Sequence, residues 1–164
     1  MARLIRGTVG KWLYGSSPPP KPQGLVNHFV HDYNALVRRL NETSASVDQA
    51  MSRAVGGDFA VFGQIHSDLL RMFGLRDGMR LVDLGCGSGR TAVGIARDFK
   101  IEYHGVDVVP ELLQYAKAHT PANYRFSQVE HIHIPDKDAS TDMICAFSLF
   151  THLLHEETYT YLEE

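Results

Sequence analysis

Residues 81–90, LVDLGCGSGR, decide the fold of this 164-residue chain. Leu81, Val82 and Leu84 have the apolar character of a buried strand. Gly85, Gly87 and Gly89 then alternate through a turn that TAVGIARDF continues as a helix. Ser88 and Thr91 are placed to cap that helix. Such a turn lets backbone approach a ligand closely, because glycine carries no side chain to exclude it. The helix start behind it offers unpaired N–H groups to polar atoms. Asp83 stands just before the turn, and its charge repels a pyrophosphate. The turn therefore suits a positively charged or zwitterionic nucleoside better than the phosphate bridge of a dinucleotide.

With these residues in view, DLGCGSGR resembles the first motif of class I S-adenosylmethionine-dependent methyltransferases, an acidic residue followed by GxGxG. The dinucleotide fingerprint is GxGxxG, and here the third glycine arrives one residue too early for it. The resemblance implies a Rossmann-like, doubly wound α/β sheet. It also implies cofactor contacts from Asp83, Gly85, Cys86, Gly87 and Gly89.

Three further segments match in order. Asp107 closes the strand-like IEYHGVD, 22 positions after Gly85, where an acid can accept hydrogen bonds from both ribose hydroxyls. The same carboxylate could simply cap the helix PELLQYAKAH, which opens with Pro110 and Glu111. Beside the glycine turn and at the family's spacing, ribose is the expectation. Val108 and Val109 are expected against the adenine ring. Phe126 to Val129 read as a third strand, and Pro135 and Asp142 match the proline and aspartate that precede the family's fourth strand. Five positions before Pro135 stands Glu130, where the family usually has an aspartate for the adenine amino group. His131 takes the next position, so the usual Asp-Ala pair is replaced by a longer and a bulkier residue. Finally, DMICAFSLF (142–150) reads as a fourth strand running into a loop, and FSLFTHL is similar to a segment common in bacterial members of the family. Phe147 and Ser148 fall at the carboxyl end of that strand, where open α/β sheets place ligands; Phe147 joins the cofactor residues. The continuation THLLHEETYTYLEE reads as helical.

The cofactor implied is S-adenosyl-L-methionine, with S-adenosyl-L-homocysteine as product. The function implied is in-line transfer of its methyl group to a small-molecule or glycan-type acceptor. The alternative is a non-catalytic cofactor-binding or regulatory domain that keeps the fold. No catalytic constellation can be read, because a base is needed only if the acceptor must lose a proton; His152 is the candidate, with a cap or packing role at the helix start as the other reading. HIHIP puts His131 and His133 on one side of an extended segment, and His152 and His155 are three apart. No acid or cysteine set completes a recognisable site around either pair, so no metal is expected.

Composition limits the classes. A hydrophobic content of 44% allows one globular domain with a real core. No apolar run reaches membrane-spanning length, and there is no signal-peptide core. Two isolated cysteines, Cys86 and Cys145, suggest neither a disulfide framework nor a zinc site, and a reducing cytoplasm is the expected home. A net charge of −3 argues against a broad phosphate-binding surface, and hence against a nucleic-acid partner.

Three parts are read along the chain. Residues 1–23 are a basic arm ending in the SSPPPKP spacer, read either as a contact for an anionic surface or as an arm packed on this chain or a twin subunit. Residues 24–79 are a helical segment. It comprises an amphipathic helix in GLVNHFVHDYNALVRRL, a second in SVDQAMSRAV capped by Ser46 and stopped at Gly56–Gly57, and a third in FAVFGQIHSDLLRMFG. His28, His31 and Tyr33 are candidates to face an acceptor pocket. Residues 80–164 are a partial cofactor-binding core. Only four strands can be read where the family core has seven, so a C-terminally truncated sheet is expected. It would keep the cofactor half-site, and a homodimer is one way to cover its open side.

Overall fold

A computed structural model describes residues 28–164, with side chains from Val30 onward. The basic arm, Leu25 and Val26 lie outside the described residues, as does the side chain of His28. Three helices, α1 (His28–Thr43), α2 (Val47–Val55) and α3 (Phe59–Met72), precede an alternation of strands and helices. These are β1 (Arg80–Leu84), α4 (Arg90–Ala96), β2 (Glu102–Asp107), α5 (Pro110–Ala118), β3 (Arg125–Gln128) and β4 (Met143–Cys145). A 3-10 turn (Phe150–His152) and α6 (His155–Glu163) follow.

The helix limits follow local chemistry. The Ser46 side chain accepts from the Gln49 N–H at the start of α2, and Gly56 ends that helix at φ 68°. The Asp58 side chain accepts from the Val61 N–H at the start of α3. Pro110 occupies the first turn of α5, where its missing N–H costs nothing.

The four strands are parallel in the order β3-β2-β1-β4. Leu81 pairs with Tyr103 and Met143, and Gly105 pairs with Phe126. The chain winds outward from β1 through β2 to β3, then returns to the other side of β1. A crevice opens at such a reversal, beyond the carboxyl ends of the strands. On one sheet face Leu81, Tyr103 and Cys145 pack with Ala92 and Ile95 of α4 and Leu70 of α3. On the other, Val82, Leu84 and Val106 meet Val129, Ile132 and Tyr161 of α6. A third cluster joins Val37, Leu40, Ala50 and Met51 to Val109 and Leu112, so α1 and α2 pack onto the start of α5.

Helices α3 and α4 cross at Gly63 and Gly94. A Cβ on Gly94 would lie 2.1 Å from the Gly63 carbonyl oxygen, so only glycine permits this approach. The crossing sets His66 of α3 beside Thr91 of α4.

Several expectations need correction. The α4 N-cap is Gly89, in the left-handed region, with no side-chain cap. Ser88 instead donates to the Met51 carbonyl, and Thr91 faces His66, because both hydroxyls are buried among neighbouring helices. The helix expected from Thr151 is broken at Leu153 and Leu154, whose extended backbone separates the 3-10 turn from α6. His152 and His155 therefore stand on different elements. Val109 is wholly buried under α1 and α2 and does not reach the crevice.

Candidate functional site

The crevice is built from the ends of β1, β2 and β4. Gly85, Gly87 and Gly89 all have positive φ (69°, 55° and 82°), a path that residues with side chains rarely follow. The turn is held to β2 by the N–H groups of Gly85 and Cys86, which donate to the Val106 carbonyl at 2.8 and 3.1 Å. Asp107 completes the clasp. One carboxylate oxygen accepts from the Gly87 N–H at 2.8 Å, and the other accepts from Val108 and Val109 at 2.8 and 3.0 Å. Burial pushes the Asp107 carboxyl up, and these N–H bonds pull it back.

Asp83 lies beneath the turn, 1% exposed. The Tyr103 hydroxyl donates to it at 2.7 Å. Burial raises the Asp83 carboxyl to about 6, while hydrogen bonds from Tyr103, Cys145 and Thr91 oppose the rise and the Asp107 charge adds to it. Beside it, His66 and Thr91 meet at 2.9 Å through Nδ1 and Oγ1. The His66 ring stacks on Phe147 with centroids 3.7 Å apart and planes 5° from parallel. Burial, helped by the Arg90 charge, lowers His66 to about 4, so it is neutral at pH 7. Arg90 itself donates to the Gly56 carbonyl at 2.5 Å and lies over the Phe62 ring. Across the cleft, His152 meets Tyr33 of α1 edge to face, with centroids 5.2 Å apart.

Asp83, Gly85, Cys86, Gly87, Asp107, Val108, Phe147, Ser148, Tyr33 and His152 thus converge on one cleft of about 920 Å³, its open mouth included. Three of the cofactor residues read from the sequence stand apart from its lining. Gly89 is buried behind the turn, where a Cβ would lie 2.7 Å from that of Ala116. Glu130 and His131 are exposed in the loop after β3, and the wall on that side is Val129. His131 stacks with His133, and His133 pairs with Glu164 at 3.4 Å. His31 is exposed beside Asp32, away from the cleft. Several lining residues escaped the sequence reading: Val55, His66, Arg90, Leu149 and Tyr161. Of these, only Arg90 carried a sequence signal, its place directly after the glycine turn. The space the glycines leave is partly filled by this chain, since Leu149 packs over Gly85 and Val55 over Gly87.

A glycine turn at a sheet's switch point, with one carboxylate beneath it and one at the tip of the neighbouring strand, defines a nucleoside-binding α/β domain. Residues 81–164 match a family described as methyltransferase domain. The chain belongs to the class I S-adenosylmethionine-dependent methyltransferases. It is similar to norajmaline N-methyltransferase of Rauvolfia serpentina, 22% identical over 68% of this chain and 42% of that protein. It is also similar to O-methyltransferase rstn1 of Aspergillus nomiae, 30% identical over 46% of this chain and 36% of that one. The chain thus spans about two-fifths of the length of these relatives. Among solved structures, phosphoethanolamine N-methyltransferase 1 of Haemonchus contortus, in complex with phosphoethanolamine and S-adenosylhomocysteine, superimposes with a TM-score of 0.59. That match is 16% identical and covers 82% of this chain and 28% of the other, a likeness of fold. The family's cofactor is S-adenosylmethionine, and the residues present fit it. Two carboxylates, Asp83 and Asp107, line the cleft, a charge that suits a positively charged nucleoside.

Proposed function

We propose that this chain carries the donor site of a methyltransferase acting on a small-molecule or glycan-type acceptor. The observation that carries the reading is the convergence of the glycine turn, Asp83 and Asp107 at the switch point of the sheet. When bound, S-adenosylmethionine supplies a methyl group already activated by its sulfonium, open to in-line attack by the acceptor. The chain's residues supply binding and alignment. Asp107 receives the ribose hydroxyls. Three N–H donors already occupy most of the roughly four lone-pair positions of its carboxylate, so ribose displaces the Gly87 N–H or takes the place left over. Val108 lies along the base, and Phe147 lies near the methionine end. Glu130 and His131 reach the adenine only if the loop after β3 moves inward. His152, with Tyr33, borders the acceptor side. The described part of residues 24–79 forms the acceptor wall and 80–164 the donor core, and a cytoplasmic, homodimeric protein without nucleic acid fits this reading. Among the described residues, no helix is long and apolar enough to cross a membrane.

Calorimetric titration with S-adenosylhomocysteine tests the donor site: binding is expected, and a folded protein that takes up none overturns the reading. Asp107→Ala is expected to weaken that binding at least about tenfold, the worth of one or two charge-assisted hydrogen bonds; unchanged affinity removes the ribose role. A second reading, a binding domain without turnover, draws on Leu149 and Val55 resting on the glycine turn. Tritium transfer from labelled cofactor into small molecules of a cell extract separates the two.

A further inference from the structure

The Thr91 hydroxyl stands between Asp83 and His66, and it has one proton to give. It either gives that proton to His66 Nδ1, 2.9 Å away, or accepts the Nδ1 hydrogen. In the second case His66 carries its hydrogen on Nδ1, and Nε2 is left bare. Nε2 has no hydrogen-bond partner among the described residues, and His66 borders the cleft. Burial beside Arg90 keeps the ring uncharged, so the lone pair is present throughout the neutral range.

A bare, half-enclosed imidazole nitrogen calls for a donor on the ligand. The neighbouring Arg90 charge disfavours an ammonium there, and a carboxylate has no hydrogen to give. A neutral hydroxyl satisfies both conditions. Phe147 is stacked on His66, and the cleft that His66 borders is lined elsewhere by Tyr33 against His152 and by Leu149 and Leu153.

We propose that His66 donates through Nδ1 to Thr91 and, through Nε2, receives the hydrogen of the methyl acceptor, and that this acceptor is an uncharged aromatic ring bearing a hydroxyl. The inference rests on the methyl-transfer reading above and narrows its acceptor. In the reaction, the hydroxyl oxygen forms its bond to the methyl carbon with a lone pair as the carbon–sulfur bond breaks onto sulfur. The hydroxyl proton passes to Nε2 and on to water. The products are an aryl methyl ether, S-adenosylhomocysteine and one proton, with no oxidant or reductant involved. His152, exposed at the cleft mouth beside Tyr33, is then an orienting group, and the base is His66.

The test uses the full 164-residue chain, saturated with S-adenosylhomocysteine, and two matched probes: phenol, and anisole, which lacks the hydroxyl. Long-range 1H–15N spectra of protein labelled in histidine are expected to show His66 as the Nδ1–H tautomer at pH 7.5. Phenol is expected to shift its Nε2 resonance, and anisole to leave it in place. Phenol is expected to bind roughly tenfold more tightly than anisole, the scale of one hydrogen bond in a dry site. In His66→Phe, which keeps a ring on Phe147, that preference should fall to within about twofold while S-adenosylhomocysteine affinity is retained. An Nε2–H tautomer in the unmodified protein overturns the proposal without any variant. Equal affinity for the two probes also overturns it, as does a large loss of S-adenosylhomocysteine affinity in His66→Phe, which would assign His66 to the donor. Failure of the unmodified protein to bind S-adenosylhomocysteine would instead defeat the methyl-transfer reading itself.

Discussion

Asp83 and His66 share Thr91 as a neighbour but respond to pH in opposite directions. The Asp83 carboxyl sits at about 6 in the folded chain, above its ordinary value, chiefly through burial. Its contribution to stability is full below about pH 4 and is lost as pH rises through 6. His66 sits at about 4, below its ordinary 6.5, also chiefly through burial. Its contribution is full above pH 6.5 and is lost as pH falls through 4. Between pH 4 and 6 these two slopes oppose each other. His66→Phe removes one slope. Relative to the unmodified chain, the variant should gain about 2–3 kcal/mol on going from pH 7.5 to 4.5. Urea unfolding at the two pH values measures this, and parallel profiles for both proteins would dismiss the buried neutral histidine. At this scale the sequence was half legible. Asp83, Gly85 and Gly87 could be placed at the cleft because their spacing within one strand–turn–helix unit is local, and Asp107 because it ends the next strand at the family's distance. His66 could not, because nothing in FGQIHSDLL distinguishes a histidine that meets Thr91 and Phe147 only after the chain folds back.

The helices were legible where their signals are local. Ser46 and Gly56 bracket α2 in the sequence as in the fold, and Pro110 marks α5. Legibility failed where tertiary packing overrides a local preference. Ser88 and Thr91 are good capping residues, yet each is drawn to a partner on another helix, Ser88 to α2 and Thr91 to α3. The Gly63–Gly94 crossing was equally hidden, since two glycines on separate helices carry no joint meaning until the helices touch. Its consequence is sharp. A Cβ at Gly94 would stand 2.1 Å from the Gly63 oxygen, and that atom belongs to backbone, which cannot swing aside. Gly94→Ala is expected to cost about 3 kcal/mol or more, at the upper end of overpacking. It should also separate His66 from Thr91, each one helical turn from the crossing. Thermal unfolding reads the first effect and the His66 nitrogen resonances the second. A variant of unchanged stability would mean that α3 and α4 are not in contact at these glycines.

At the scale of the molecule, the doubly wound sheet came with the family resemblance, whereas the fastening of the loop after β3 did not. His104 of β2 is buried, joined to Asp136 through Nδ1 and to Ser127 through Nε2, and Arg125 also reaches Asp136. This network ties residues 129–136 across β2 and β3, which accounts for the outward placement of Glu130 and His131. The other side of the sheet is less well covered. Among the described residues β4 pairs only with β1, and Ile144 on that edge is 50% exposed. A short strand with free N–H and C=O groups and an exposed apolar side chain is a template for pairing with another copy. Sedimentation velocity is therefore expected to show association that grows with protein concentration. Ile144→Lys should shift the population toward monomer, because a charged edge strand resists pairing, while S-adenosylhomocysteine binding is kept. The exposed face of α3 is the competing contact, with Val61, Ile65 and Met72 along it. If Ile65→Lys restores the monomer and Ile144→Lys does not, the copies join through α3 and the sheet edge is not the interface.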